Sequence, residues 1–150
     1  MKSKLPEKPS ALIKVALKDL AKIERSRKYK VNMGFWHRTA PGKKAKCEVC
    51  LGGSVLAKTL KVPFRQTLQT HEIGVEYGQD VGQKIIALDR FRRGQLMNGL
   101  QEMGLRGLVG DKYYKKFGTY FPEITAYEYD PKKFKEDMLQ LAKNLKKIGY

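Results

Sequence analysis

The sequence predicts an α+β fold, mostly helical, with four or five helices around a central buried helix (about 47–60) and a small antiparallel sheet. Three observations lead there. First, residues 47–60, drawn as a helix, are apolar or small on nearly every side. One row holds Cys47, Cys50, Leu51, Ser54 and Val55, and another holds Val49, Gly53, Leu56 and Leu60. A helix with so little polar surface must be buried from several directions. Second, stripes of apolar residues at helical spacing occur toward both ends of the chain. Third, residues 30–36 and 124–129 alternate in the manner of strands, and are expected to pair with each other.

Taken in order, residues 1–9 carry two prolines and three lysines and read as a flexible arm, leaving 10–150 as a single compact basic domain. Ser10 suits an N-cap. From residue 11 to about 24, Leu12, Val15, Ala16, Leu20 and Ile23 share one face. Lys14, Lys18 and Lys22 recur at intervals of four on another, and Arg25, Arg27, Lys28 and Lys30 continue the charge past the helix end. After the strand come Trp36 and His37, then a Pro41-Gly42 loop that brings Lys43, Lys44 and Lys46 to the central segment. Gly52 and Gly53 each cost a helix interior about 1 kcal/mol relative to alanine, which makes sense where neighbouring elements come close.

Pro63, Gly74 and Gly78 break residues 61–80, and His71, Glu72, Glu76 and Asp80 read as a solvated acidic loop. A further helix runs from about residue 80 to 91. Arg90, Arg92 and Arg93 cluster at its end, and their guanidinium forks match phosphate or carboxylate. Leu96, Leu100 and Met103 give the next helix its apolar face. Residues 112–121 interleave Tyr113, Tyr114 and other aromatics with lysines, a pattern that serves either base stacking or core packing. Asp130 and Pro131 are placed as N-cap and first residue of the last helix, whose buried stripe is Phe134, Met138, Leu141, Leu145 and Ile148.

The segments Val31-Asn-Met-Gly-Phe-Trp-His37, Cys47-x-Val-Cys-Leu-x-Gly-x-Val-x-Ala57 and Ala87-Leu-Asp-x-Phe-Arg-x-Gly94 resemble small uncharacterised proteins of tailed bacteriophages, over about half the chain. The resemblance implies a phage gene product acting in a bacterial cytoplasm and attaches no activity to it.

The functional expectation comes from charge. The 150 residues hold 31 Lys and Arg against 15 Asp and Glu, a net +16. Residues 1–65 alone carry 17 of the basic and 4 of the acidic side chains, a net +13. Such asymmetry makes a basic face, which draws in polyanions through a long-range field. No apolar run is long enough to span a membrane, and no signal-type segment follows Met1, so a cytoplasmic location without a membrane partner is expected. Two cysteines three residues apart do not make a disulfide framework.

Cys47, Cys50, His37 and His71 admit three readings: buried packing, a zinc site, or a thiol nucleophile. Packing is favoured, because zinc sites ordinarily combine two tight ligand pairs. No phosphate-binding glycine loop, serine triad or paired catalytic carboxylates occur, so neither catalytic residues nor a cofactor or metal are assigned. The expected role is an accessory protein that binds DNA or RNA through backbone phosphates. The residues expected to carry it are Lys14, Lys18, Lys22, Arg25, Arg27, Lys28, Lys43, Lys44, Lys46, Arg90, Arg92, Arg93, Tyr113 and Tyr114. The alternative is a phage inhibitor or modulator that docks on an acidic surface of a host protein, such as a nucleic-acid-processing or defence enzyme.

Overall fold

The computed structural model describes residues 5–42 and 45–150. Among them are seven helices and a three-stranded mixed sheet, an α+β fold that is mostly helical. The order is α1 (Pro9–Glu24), β1 (Tyr29–Val31), β2 (Arg38–Thr39), β3 (Cys47–Val49), α2 (Leu51–Lys58), α3 (Thr70–Tyr77), α4 (Gln79–Arg92), α5 (Leu96–Glu102), α6 (Leu108–Phe117) and α7 (Pro131–Lys147).

The centre is α2. Every residue from Leu51 through Ala57 is buried, between α1, α4 and β3. Its two glycines are there for space. A Cβ on Gly53 would lie 1.7 Å from the Trp36 carbonyl oxygen, and one on Gly52 would press on Ile85 and on the Trp36 ring. The helix is shorter than the apolar run predicts. Residues 47–49 are a strand, and Cys50 is the N-cap, its sulfur accepting the Gly53 N–H at 3.3 Å. A strand followed directly by a buried helix leaves no change of polarity in the sequence to mark the join.

The sheet also differs from expectation. β3 lies between the other two strands, parallel to β1 and antiparallel to β2. Residues 124–129 are not a strand. Their backbone is engaged elsewhere, with Thr125 N–H donating to Asp137 at 2.9 Å and a turn closing over residues 127–129. Cys47 and Val49 turn into the core, so the register places Lys30, Arg38 and Glu48 together on the outer face.

Two helices frame the chain ends. α1 takes Pro9 as its first residue, with Lys8 rather than Ser10 at the N-cap. Its buried face is Leu12, Ile13, Ala16, Leu20 and Ile23. α7 begins as predicted, with the Asp130 carboxylate accepting the Lys133 N–H at 3.1 Å, and buries Phe134, Met138, Leu141 and Leu145. The two run antiparallel. Lys135 meets Glu24 at 2.8 Å at one end, and Ser10 donates to the Tyr150 carbonyl oxygen at 2.8 Å at the other. Of the arm expected over residues 1–9, the part from Leu5 onward is held in place. Leu5 is buried, and the buried Lys84 donates to its carbonyl at 3.2 Å while pairing with Glu7 and Asp80. Residues 70–77, expected as a loop, form α3, because the Gln69–Glu72 capping box satisfies the start of that helix.

Candidate nucleic-acid interface

Lys14, Lys18 and Lys22 are exposed along one line of α1, at intervals of four residues. Each step rises about 6 Å. Phosphates on one strand of a duplex advance about 3.4 Å each along the axis. Arg25, Arg27 and Lys28 extend the line through the exposed turn, and Lys30 carries it onto the outer face of the sheet. Lys46 is exposed one residue before β3. Lys43 and Lys44 lie outside the described residues.

The acidic groups beside this ridge are already engaged. Asp19 is buried under it, accepts a hydrogen bond from Thr59, and has Lys22 at 3.8 Å. Burial raises its carboxyl above the usual value, the Thr59 bond and the surrounding lysines opposing this. Glu48 accepts from the Asn32 amide and from Arg38, whose guanidinium also sits 3.7 Å over the Phe35 ring. The Asn32 bond above all holds the Glu48 carboxyl below its ordinary value; desolvation opposes it, and Arg38 and Lys30 add to the lowering. Glu24 is taken by Lys135 and the Tyr127 hydroxyl. Among the described residues, Lys14, Lys18, Arg25, Arg27, Lys28, Lys30 and Lys46 have no ion-pair partner. Their charge is therefore left to attract an outside polyanion.

The arginine cluster divides. Asp89, on the inward side of α4, accepts from Arg92 Nε at 2.8 Å and Arg93 Nε at 3.2 Å, and pairs more loosely with Arg90 at 3.8 Å. Arg92 is 12% exposed and spends its remaining reach on the Met33 carbonyl oxygen at 2.9 Å, so it ties α4 to the β1–β2 loop and is no phosphate contact. Arg90 and Arg93 are 39% and 50% exposed. They line a cleft of about 350 Å³ with Phe35, Trp36, Thr70 and Glu102. The carboxylate partner of the cluster is thus Asp89, within the same helix.

The aromatic stretch also divides. Tyr113 is 1% exposed, and its hydroxyl accepts from the Asn144 amide at 3.2 Å, so it is core and presents no face to a base. Tyr114 is exposed, but one face is covered by Tyr120 at 4.4 Å between ring centroids. Periodicity in the sequence separates the two, since Tyr113 falls on the same side of α6 as the buried Val109 and Tyr114 does not.

Cys47 and Cys50 do not share a side. Cys47 lies with Ile23 and Val49 under the sheet, and Cys50 lies in the main core. Cys47 Sγ sits 3.3 Å from His37 Nδ1, which donates to the Gln66 carbonyl oxygen. Burial pushes both thiols up to about 11 and lowers His37, so each group is neutral at pH 7 and no thiolate is available to attack. His71 stands apart, exposed on α3. No three His, Cys, Asp or Glu side chains among the described residues gather as a metal-holding group.

Trp36, Thr70 and Glu102 are the site residues that sequence reading missed. Their places depend on contacts between α3, α4, α5 and the β1–β2 loop, and no local pattern signals those. Comparison of the chain with protein-family models, with curated proteins and with solved structures finds no match in any of the three.

Proposed function

We propose that this chain is a phage-type accessory protein that binds nucleic acid through backbone phosphates, without strong sequence preference, in a bacterial cytoplasm. The observation that carries this reading is the exposed ridge Lys14, Lys18, Lys22, Arg25, Arg27, Lys28 and Lys30, of which only Lys22 has an ion-pair partner among the described residues, and whose neighbouring acids are already engaged. Phosphate contacts position a protein on its strand without reading bases, and the ridge offers ammonium and guanidinium groups with few fixed forks for base edges. The bacteriophage assignment rests on the sequence resemblance.

The test is anisotropy of labelled random-sequence single strands and duplexes, DNA and RNA, over roughly 50 to 200 mM salt, across which phosphate-driven affinity falls by orders of magnitude. Absence of binding to any of the four at low salt overturns the reading. The same cations also suit the carboxylates of a host protein, the second reading. A partner captured from bacterial lysate that survives nuclease treatment, together with weak strand binding, selects that role.

A further inference from the structure

The cleft between the 33–36 loop and α4 has a chemistry that the open ridge lacks. Asp89 engages Arg93 through Nε, so the outer nitrogens of that guanidinium stay free, and Arg90 is held only at 3.8 Å. The buried Asp89 carboxylate thus anchors Arg93 at Nε and has one outer nitrogen of Arg90 at 3.8 Å, and both arginines line the cavity. Two forks converging on one cavity suit a compact dianion better than a singly charged diester inside a strand. Thr70 accepts the Trp36 indole N–H at 2.9 Å, which leaves the hydroxyl proton to donate. Phe35 and Trp36 supply aromatic lining, and a volume of about 350 Å³ lies at the small end of the range for pockets that hold one small molecule. Glu102 is the one lining carboxylate not bound to an arginine, and its charge opposes an anion.

We infer that this cleft binds the phosphomonoester of a nucleotide, with the phosphate between Arg90 and Arg93 and the nucleoside toward Phe35 and Trp36. The phosphomonoester has two sources, a free nucleotide or the phosphorylated end of a strand. The strand-end form rests on the nucleic-acid reading above, whereas the cleft chemistry does not.

Trp36 is the chain's single tryptophan, so its emission reports on the cleft alone. The full chain is titrated with adenosine monophosphate, with adenosine and with inorganic phosphate. The expected result is a saturable change with the monophosphate and a weaker one with adenosine. Arg90→Gln and Arg93→Gln should each weaken monophosphate binding about tenfold, the scale of one or two charge-assisted hydrogen bonds. Glu102→Gln should strengthen it, a direction that misfolding does not produce. Strands with a 5′-phosphate, a 3′-phosphate or neither, labelled internally, then separate the sources. Tighter binding of one phosphorylated end, abolished by Arg93→Gln, selects the strand end. Monophosphate binding with no end preference selects the free nucleotide. No Trp36 response to monophosphate or to either phosphorylated strand overturns the inference, as does an unchanged response in both arginine variants. Salt-dependent strand binding that persists in that case leaves the ridge reading intact, and strand binding absent while the monophosphate still binds removes the ridge reading alone.

Discussion

Gly53 and Gly74 both sit inside helices, and the surroundings give them opposite values. A Cβ at Gly53 meets the Trp36 carbonyl at 1.7 Å, which is backbone and cannot swing aside, whereas a Cβ at Gly74 meets nothing within 4 Å. Gly53→Ala should therefore lower the unfolding free energy by about 3 kcal/mol. Gly74→Ala should raise it by up to about 1 kcal/mol, by helix propensity. Urea midpoints of the two variants check both signs. His37 supports a second prediction. Burial depresses its folded value below the ordinary one, so the unfolded chain binds the proton more readily. The neutral imidazole's contribution is present above about pH 6.5 and is lost as pH falls through the folded value. Urea stability should decline from pH 7 toward pH 5 (both approximate limits set by the ordinary histidine value), and His37→Gln should flatten that decline. At this scale the sequence is legible where a residue type has one use. It singled out Gly52 and Gly53 as points of close approach, but not the segment that approaches, because Trp36 arrives through the tertiary fold.

Among the elements, α7 was readable end to end. Asp130 and Pro131 define its start, the stripe at helical spacing defines its buried face, and Gly149 with φ 91° ends it. Leu141 is 2% exposed, so Leu141→Ala should cost about 2–5 kcal/mol, measured as a lower denaturation midpoint. An unchanged midpoint would place the helix outside the core. The strands were less legible for a physical reason. β1, β2 and β3 are two or three residues long, too short for alternation to distinguish them from loop or helix. β1 keeps an open edge in the order β1-β3-β2, but residues 124–129 are drawn away from it, the Thr125 N–H being held by Asp137. The arginines at the end of α4 show the same limit. Their clustering was visible, but only Asp89 one residue earlier decides that Arg92 turns inward while Arg90 and Arg93 face the cleft.

For the whole molecule, net charge states the strength of the field and the ion pairs state where it is unopposed. The acids near α1 are buried or bound, so the exposed Lys14, Lys18, Arg25, Arg27, Lys28 and Lys30 stand largely unopposed on α1, the turn after it and the outer sheet face. Other exposed lysines exist, among them Lys143, Lys146 and Lys147 near the end of α7, where they face the negative end of that helix. A diffuse charge effect and a specific ridge therefore predict different mutational patterns. If the ridge touches phosphates, Lys14, Lys18 and Lys22 each release about one counterion on binding a duplex. Replacing all three by glutamine should flatten the slope of log affinity against log salt by up to about 2.7, from roughly 0.9 per phosphate. The fold should persist, because all three side chains are exposed and none caps a helix. Replacing Lys143, Lys146 and Lys147 removes the same formal charge and should leave the slope nearly unchanged. Equal flattening by the two triple variants would show that binding follows net charge alone and that α1 holds no particular strand.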